Sequence, residues 1–378
     1  MTAVDRDRLA RVGLARIAEP GDPRFAGLVA ELGAVELLDA LIGQRDLGGV
    51  LADVAGRVEA MVPERELEQA GRLGIRFVIP SDDEWPRQLD GLAAVEPLQN
   101  RGGMPLGLWV KGPVRLDELA TSVAVVGSRS ATSYGGDVAA DLAAVVARAG
   151  HAVVSGAAFG IDQAAHRGAL AAGGRSVAVL ACGVDRAYPM AHKRLLDHLG
   201  AEGAVVSEVP IGCSPTRLRF LSRNRLIAAL TRGTVVVEAA IRSGALNTAN
   251  WAGRLNRTLM GVPGPVTSAP SQGVHQLIRT GAATLVTSGA EVLELVGEAG
   301  EHLVEEPRAR ARPRDRLSLR DQQVLDAVPV ATGARADSIA RTAGLGLLEV
   351  RSALTRLHRA GLVEAGEAGW RLAALART

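Results

Sequence analysis

Five stretches of the chain gather small, polar and cationic residues in the pattern that anion binding requires. Gly127, Ser128 and Arg129 end the apolar run V-A-V-V. Ser155, Gly156, Phe159 and Gly160 lie in S-G-A-A-F-G-I-D, and Lys193 closes C-G-V-D-R-A-Y-P-M-A-H-K. Arg223, Asn224 and Arg225 sit in R-L-R-F-L-S-R-N-R, while Ser243, Gly244, Asn247 and Thr248 come after T-V-V-V-E. A residue without a side chain lets backbone N–H groups approach an oxyanion closely, and a helix that starts there adds partial positive charge. Arginine and lysine supply the counter-charge, arginine with a planar fork that matches a phosphate. The chemistry on offer is therefore the holding of one or more phosphates.

For these stretches to act together, the fold must bring them to one edge. V-A-V-V (123–126) precedes a helical pattern over 134–149, H-A-V-V-S (151–155) one over 161–171, and S-V-A-V-L-A (176–181) one over 189–199. Further strand patterns at 204–207, 234–238, 258–262 and 283–286 alternate with helical ones near 222–232, 244–257, 274–280 and 290–296. Strands separated by helix-length segments specify an α/β fold: a Rossmann-like, doubly wound, mainly parallel sheet of about seven strands. Such a sheet places the C-terminal ends of its strands, and so all five stretches, along one side.

Several chemistries are excluded by spacing. G-S-R-S-A-T-S-Y-G lacks the G-x-G-x-x-G of a dinucleotide turn, and G-x-x-x-x-G-K-[ST] occurs nowhere. His151, His166, His192, His198 and His275 show no metal-ligand spacing, and no nucleophile, base and orienting group can be assembled, so neither a metal, a cofactor nor a catalytic residue is expected. Asp162 and Glu238 are expected to orient loops or cap helices. Cys182 and Cys213 form no C-x-x-C pair and read as packing residues in a reducing compartment.

The flanks differ in texture. Residues 1–73 carry short helical patterns punctuated by Pro20, Gly21 and Gly33 and predict a helical module resembling SAM or helix-hairpin-helix units. Residues 74–298 hold the Rossmann-like domain, opening with strand patterns at G-I-R-F-V-I-P and P-L-G-L-W-V-K-G; Trp85 and Trp109 there read as packing residues. Residues 299–316, with arginine at 308, 310, 312, 314 and 316, predict a flexible tether, and 317–378 predict three helices and a hairpin, the winged-helix order. Its third helix carries Arg351, Arg356 and Arg359, suited to DNA or to a protein. Formal charge is −6 over residues 1–119 (14 basic, 20 acidic), +5 over 120–298 (16 and 11) and +3 over 299–378 (13 and 10). That distribution admits a polyanionic partner in the middle and end and argues against one at the helical module. No long apolar run or apolar leader appears, so no membrane association is expected and a cytoplasmic location is.

Taken in order, G-S-R, S-G-A-A-F-G-I-D-Q-A-A-H-R-G-A-L, Y-P-x-x-H-K, S-E-V-P, F-x-x-R-N-R-L-I-A-A-L, V-V-V-E-A-A-I-R-S-G-A-L-N-T-A, V-P-G-P and G-V-H-Q-L-I-R-T-G-A resemble the DNA-processing protein A (DprA, or Smf) family over roughly residues 75–297. The resemblance implies a recombination mediator, not an enzyme, that binds single-stranded DNA on the Rossmann edge and helps load the RecA recombinase, best known in natural transformation. It implies DNA contacts at Gly127, Ser128, Arg129, Ser155, Gly156, Phe159, Gly160, Lys193, Arg223, Asn224, Arg225, Ser243, Gly244, Asn247 and Thr248. It also implies a homodimer through Val274, His275, Leu277, Ile278 and Leu285. His192 stands where many members have asparagine, and Leu221 where a proline often precedes R-N-R. The competing reading is a nucleotide-binding or nucleoside-monophosphate-hydrolysing enzyme of the related Rossmann-like superfamily; its P-G-G-x-G-T-x-x-E loop is replaced here by I-R-S-G-A-L-N-T-A-N, without the glutamate. A third reading, a transcription regulator, would use the C-terminal helices on duplex DNA.

Overall fold

A computed structural model describes residues 2–45, 47, 49–304 and 313–376. The chain forms two compact units, Met1–Val304 and Glu305–Thr378.

The first unit opens with five helices: α1 (Ala3–Ile17), α2 (Pro23–Leu32), α3 (Ala34–Ile42), α4 (Val50–Ala60) and α5 (Pro63–Arg72). Their starts are set by local chemistry. Thr2 and Asp5 form a reciprocal capping box on α1, Asp22 accepts from the Arg24 N–H ahead of Pro23, and Pro63 sits in the first turn of α5. Leu14, Ile17, Phe25, Leu37 and Leu41 form the module's own core. The module is nevertheless continuous with the neighbouring sheet: Val12 and Ala70 join Phe77 and Trp109 in a shared cluster. The expected boundary at residue 73 is thus a change of secondary structure inside one body.

The sheet has nine strands: β1 (Ile75–Val78), β2 (Leu108–Lys111), β3 (Val123–Val126), β4 (Val153–Ser155), β5 (Ser176–Val179), β6 (Ala204–Ser207), β7 (Gly233–Val236), β8 (Thr258–Gly261) and β9 (Thr284–Leu285). The order is β1-β2-β6-β5-β4-β3-β7-β8-β9. Strands β3 to β9 pair in parallel with one another, while β1 and β2 add an antiparallel edge. The seven strands expected from the alternation are all present; the two opening strands join the same sheet because Trp109 and Val110 register against Ser207 and Val206.

Each strand of β3 to β7 is buried on both faces, as its continuous apolar sequence requires. One face carries α6 (Ser133–Arg148), α7 (Ile161–Ala171), α8 (Lys193–Glu202) and α12 (Gly289–Val296). The other carries α9 (Arg217–Leu230), α10 (Ala245–Arg254) and α11 (Gln272–Arg279). From β3 the chain winds outward through β4, β5 and β6, then returns along α9 to begin again at β7 on the opposite side of β3. The loops after β3 and β7 therefore diverge to opposite faces, which opens a crevice at their strand ends.

The second unit contains α13 (Leu319–Asp326), α14 (Ala336–Ala343), α15 (Leu347–Arg359) and the hairpin β10 (Val363–Gly366) and β11 (Gly369–Leu372), around Val324, Leu325, Ile339, Val350, Leu354 and Leu357. The three-helix-and-hairpin order expected from the sequence is present. Arg356 lies against Asp321 of α13, and Arg351 and Arg359 are exposed. Of the expected tether, positions 305–312, including Arg308, Arg310 and Arg312, lie outside the described residues; Pro313–Arg316 form a single 3-10 turn. No helix among the described residues is long and apolar enough to cross a membrane.

Candidate nucleic-acid interface

The crevice between the β3 and β7 ends is held by backbone contacts. Ser128 N–H donates to the Glu238 carbonyl at 2.7 Å, and Ile161 N–H donates to the Ser128 carbonyl at 3.1 Å. Gly160, at φ 76°, passes so near that a Cβ would lie 2.3 Å from that carbonyl oxygen, so only glycine closes the second loop on the first. Glu238 accepts from Thr132 through both its backbone N–H (3.0 Å) and its hydroxyl (2.6 Å), while the Thr132 hydroxyl caps α6 by accepting from Gly135. This carboxylate is occupied with holding the start of α6.

Beneath the second loop lie two buried groups of opposite charge, Arg223 and Asp162. The Arg223 guanidinium donates to the Val179 carbonyl at 2.8 Å and to the Asn224 side-chain oxygen at 3.2 Å. A Cβ on residue 156 would fall 1.7 Å from its Nη1, which explains the glycine. Asp162 accepts from the N–H groups of Gly156 (3.2 Å) and Ala158 (3.3 Å), clasping the loop. Burial pushes the Asp162 carboxyl up, and Arg223 with the two amides pulls it back; burial likewise lowers the Arg223 guanidinium.

Above them opens a cavity of about 790 Å³ lined from four connecting segments and the helices next to them. The first loop gives Gly127, Ser128, Arg129 and Ser130; the second gives Ala158, with Asp162 in the first turn of α7; the segment leading into α9 gives Pro215 and Thr216, with Arg217 opening the helix; the loop after β7 gives Arg242, Ser243 and Gly244, with Thr248 on α10. Helix α9 forms the wall with Phe220, Leu221, Arg223, Asn224 and Ile227, and Tyr188 completes it. The Arg129 guanidinium carbon stands 4.8 Å from the Phe220 ring centre, within cation–π range, and the Tyr188 ring lies 5.8 Å from the same ring. Arg129, Arg217 and Arg242 have no carboxylate partner among the described residues, so the wall is cationic around an aromatic centre.

Of the residues singled out in the sequence as DNA contacts, Gly127, Ser128, Arg129, Arg223, Asn224, Ser243, Gly244 and Thr248 line the cavity, whereas Ser155, Gly156, Phe159, Gly160, Lys193, Arg225 and Asn247 do not. Arg225 is fully buried and bidentate with Glu208, at 2.6 Å to each oxygen, on the face of α9 turned away from the cavity; it braces the fold and is not available to a ligand. Lys193 opens α8, is exposed, pairs with Asp197 at 2.6 Å and is not part of the cavity wall. Val274 is fully buried against the sheet, so it cannot belong to an exposed contact face, whereas His275, Leu277 and Ile278 are half-buried and Leu285 is exposed on β9 at the sheet edge. Ser155 is buried, its hydroxyl donating to the Val125 carbonyl at 2.7 Å, and so holds β4 to β3. Asn247 sits behind Asn224, the two linked by a 3.3 Å hydrogen bond. Phe159 is exposed with its edge against the His192 ring at 4.6 Å. The residues not singled out beforehand are Phe220, Arg217, Arg242 and Tyr188. The signal was present in R-L-R-F-L-S-R-N-R and A-A-I-R-S-G, but α9 starts at Arg217, capped by the Thr216 hydroxyl, five residues ahead of the expected helix.

The sequence model of the family described as DNA recombination-mediator protein A matches residues 76–297. A putative DNA processing protein DprA of Mycobacterium tuberculosis is 46% identical over 375 residues, covering 98% of this chain and 95% of its own. The chain belongs to the DprA/Smf family. Among solved structures, DprA from Streptococcus pneumoniae superposes with a TM-score of 0.63 at 31% identity, covering 76% of this chain and 96% of its own. A structure addressing the single-stranded DNA binding mode of DNA processing protein A from Helicobacter pylori matches at TM-score 0.50 and 25% identity, over 58% of this chain and 94% of its own.

Within the DprA/Smf pattern, the two departures have structural consequences. His192 is buried, and its Nδ1 lies 2.9 Å from the Ala157 carbonyl, so the imidazole both holds the second loop and backs Phe159. Leu221 lines the cavity and leaves α9 unbroken through the position where a proline is common. Burial pushes the Cys182 thiol up to about 11, the behaviour of a packing residue and not of a nucleophile.

Proposed function

We propose that this protein binds single-stranded DNA in the crevice between the β3 and β7 ends and acts as a recombination mediator that delivers the strand to RecA. The observation that carries the reading is the grouping of Arg129, Arg217 and Arg242, without carboxylate partners among the described residues, around the half-buried ring of Phe220. Phosphates are drawn to the three guanidinium groups, and a base stacks in the Phe220–Tyr188 region, with Phe159 as a second platform at the rim. Ser128, Ser243 and Thr248 and the backbone of Gly127 and Gly244 supply neutral hydrogen bonds. Lys193, outside the wall, acts at longer range on the approaching backbone. Binding without hydrolysis fits the engagement of Glu238 with Thr132, which ties its carboxylate to the start of α6.

A homodimer is proposed through the β9 edge, with Leu285, His275, Leu277 and Ile278 on the contact face. At the opposite edge the Phe77 carbonyl of β1 already accepts from Arg8 at 2.7 Å, which disfavours such pairing there. The Leu319–Leu372 unit is proposed as a winged helix, a site for a further partner. Gel shifts with single- and double-stranded oligonucleotides, with and without RecA, test the assignment: preference for the single strand and faster RecA assembly on it are expected. Phe220→Ala should cost ~1–3 kcal/mol of single-strand affinity. Equal affinity for both forms, or release of free base from added nucleotides, would overturn it.

A further inference from the structure

Helix α9 has two working faces. Phe220, Arg223, Asn224 and Ile227 line the cavity, while Arg219, Ser222 and Arg225 face the N-terminal helical module. Arg219 makes a two-pronged ion pair with Glu19, at 2.8 and 2.9 Å, and its third nitrogen donates to the Ser214 carbonyl at 2.7 Å. The Ser222 hydroxyl donates to the Pro20 carbonyl at 2.6 Å. Gly21 packs against Ser222 and the Arg225 guanidinium, and its carbonyl accepts from Gly102 N–H at 2.9 Å. The short turn between α1 and α2 is thereby fastened along the outer face of α9, and to the Ser214–Arg217 segment that forms one wall of the cavity.

From this we infer that the Glu19–Asp22 turn is a positioning element of the DNA site: it touches no ligand, but it sets the height of α9 and of the segment carrying Thr216 and Arg217 relative to Arg129 across the crevice. The inference rests on the single-strand reading proposed for the crevice. A module of net negative charge is then useful beside a polyanion site because it acts through α9 and not by contact. The geometry is demanding, since Arg129 stacks on Phe220 of α9 at 4.8 Å, and a shift of α9 separates the cation from the ring it shares with a base.

The test compares fluorescence-labelled oligo(dT) binding over a range of salt for the full chain, Glu19→Ala, Ser222→Ala, the exchanged pair Glu19→Arg with Arg219→Glu, and Arg129→Ala as reference, with thermal unfolding to verify folding. Glu19→Ala and Ser222→Ala should each weaken binding by about three- to tenfold. The log–log salt slope should stay at the parent value because no phosphate contact is lost, whereas Arg129→Ala should lower both affinity and slope. The exchanged pair should recover affinity to within about twofold of the parent, which a merely local loss of charge would not produce. Parent-like binding by both single variants, or a reduced salt slope in either, while Arg129→Ala is impaired, overturns the inference alone. Parent-like binding by Arg129→Ala overturns the DNA site and the inference with it.

Discussion

Gly156 and Arg223 are fitted to one another: the guanidinium occupies the space a side chain at 156 would need, with Nη1 1.7 Å from where its Cβ would be. Arg223 is 6% exposed and bonded to the Val179 carbonyl, so it yields to a side chain at 156 by giving up that bond and moving toward the cavity it lines. The relationship joins the loop after β4 to α9 at the floor of the cavity.

Gly156→Ala is therefore expected to lower stability by ~1–3 kcal/mol through overpacking and to weaken single-strand binding by displacing Arg223 and the loop together. Thermal unfolding and fluorescence anisotropy check it; parent-like values in both would show that the loop relaxes freely and that the fit is unimportant.

Glu238→Gln separates a structural role from a part in the DNA site. Thr132 keeps its cap on α6, but loss of the charged acceptor that holds it should cost about 1 kcal/mol of stability, on the scale of a weakened hydrogen bond to a charged group, while single-strand affinity changes by less than about twofold. A variant that unfolds no earlier but binds DNA poorly would place Glu238 in the site itself.

His166 gives the stability a dependence on pH. Burial first, then His192 and Arg223, pushes its imidazole down to about 3, and its Nδ1 shares a 2.7 Å hydrogen bond with the Ser176 hydroxyl. Because the folded value lies below the ordinary 6.5, the unfolded chain binds more protons between those limits. This contribution is complete above pH 6.5 and is lost as pH falls toward 3, with a slope from this group of at most ~1.4 kcal/mol per pH unit. Urea unfolding of the parent and His166→Asn, carried from about pH 7.5 down to about pH 4.5 across the ordinary histidine range, should show a flatter dependence in the variant. Identical slopes would rule the assignment out.

The parallel sheet and the edge on which the ligand loops converge were legible because strand and helix periods alternate cleanly from Val123 to Val296. What could not be read was direction around a helix. Arg223 and Arg225 differ by about 200° on α9, so one meets the cavity floor and the other Glu208, yet R-N-R looks symmetrical in sequence. Helix α9 is buried on all sides from Ser222 to Leu230, which erases the amphipathic pattern that would have fixed its start. That start decides where Arg217 and Phe220 point. Val274 was obscured similarly: an apolar residue on a short helix reads alike whether it faces the sheet or a second subunit.

The most direct measurement is the salt dependence of single-stranded DNA binding by the parent and by Arg129→Ala. The parent should lose affinity with a log–log slope of about −0.7 per phosphate held. Arg129→Ala should bind more weakly, with a slope shallower by ~0.7 for each contact it surrenders and an unchanged melting temperature. Equal affinity and equal slope for the two proteins would contradict the assignment of the β3–β7 crevice as the DNA site.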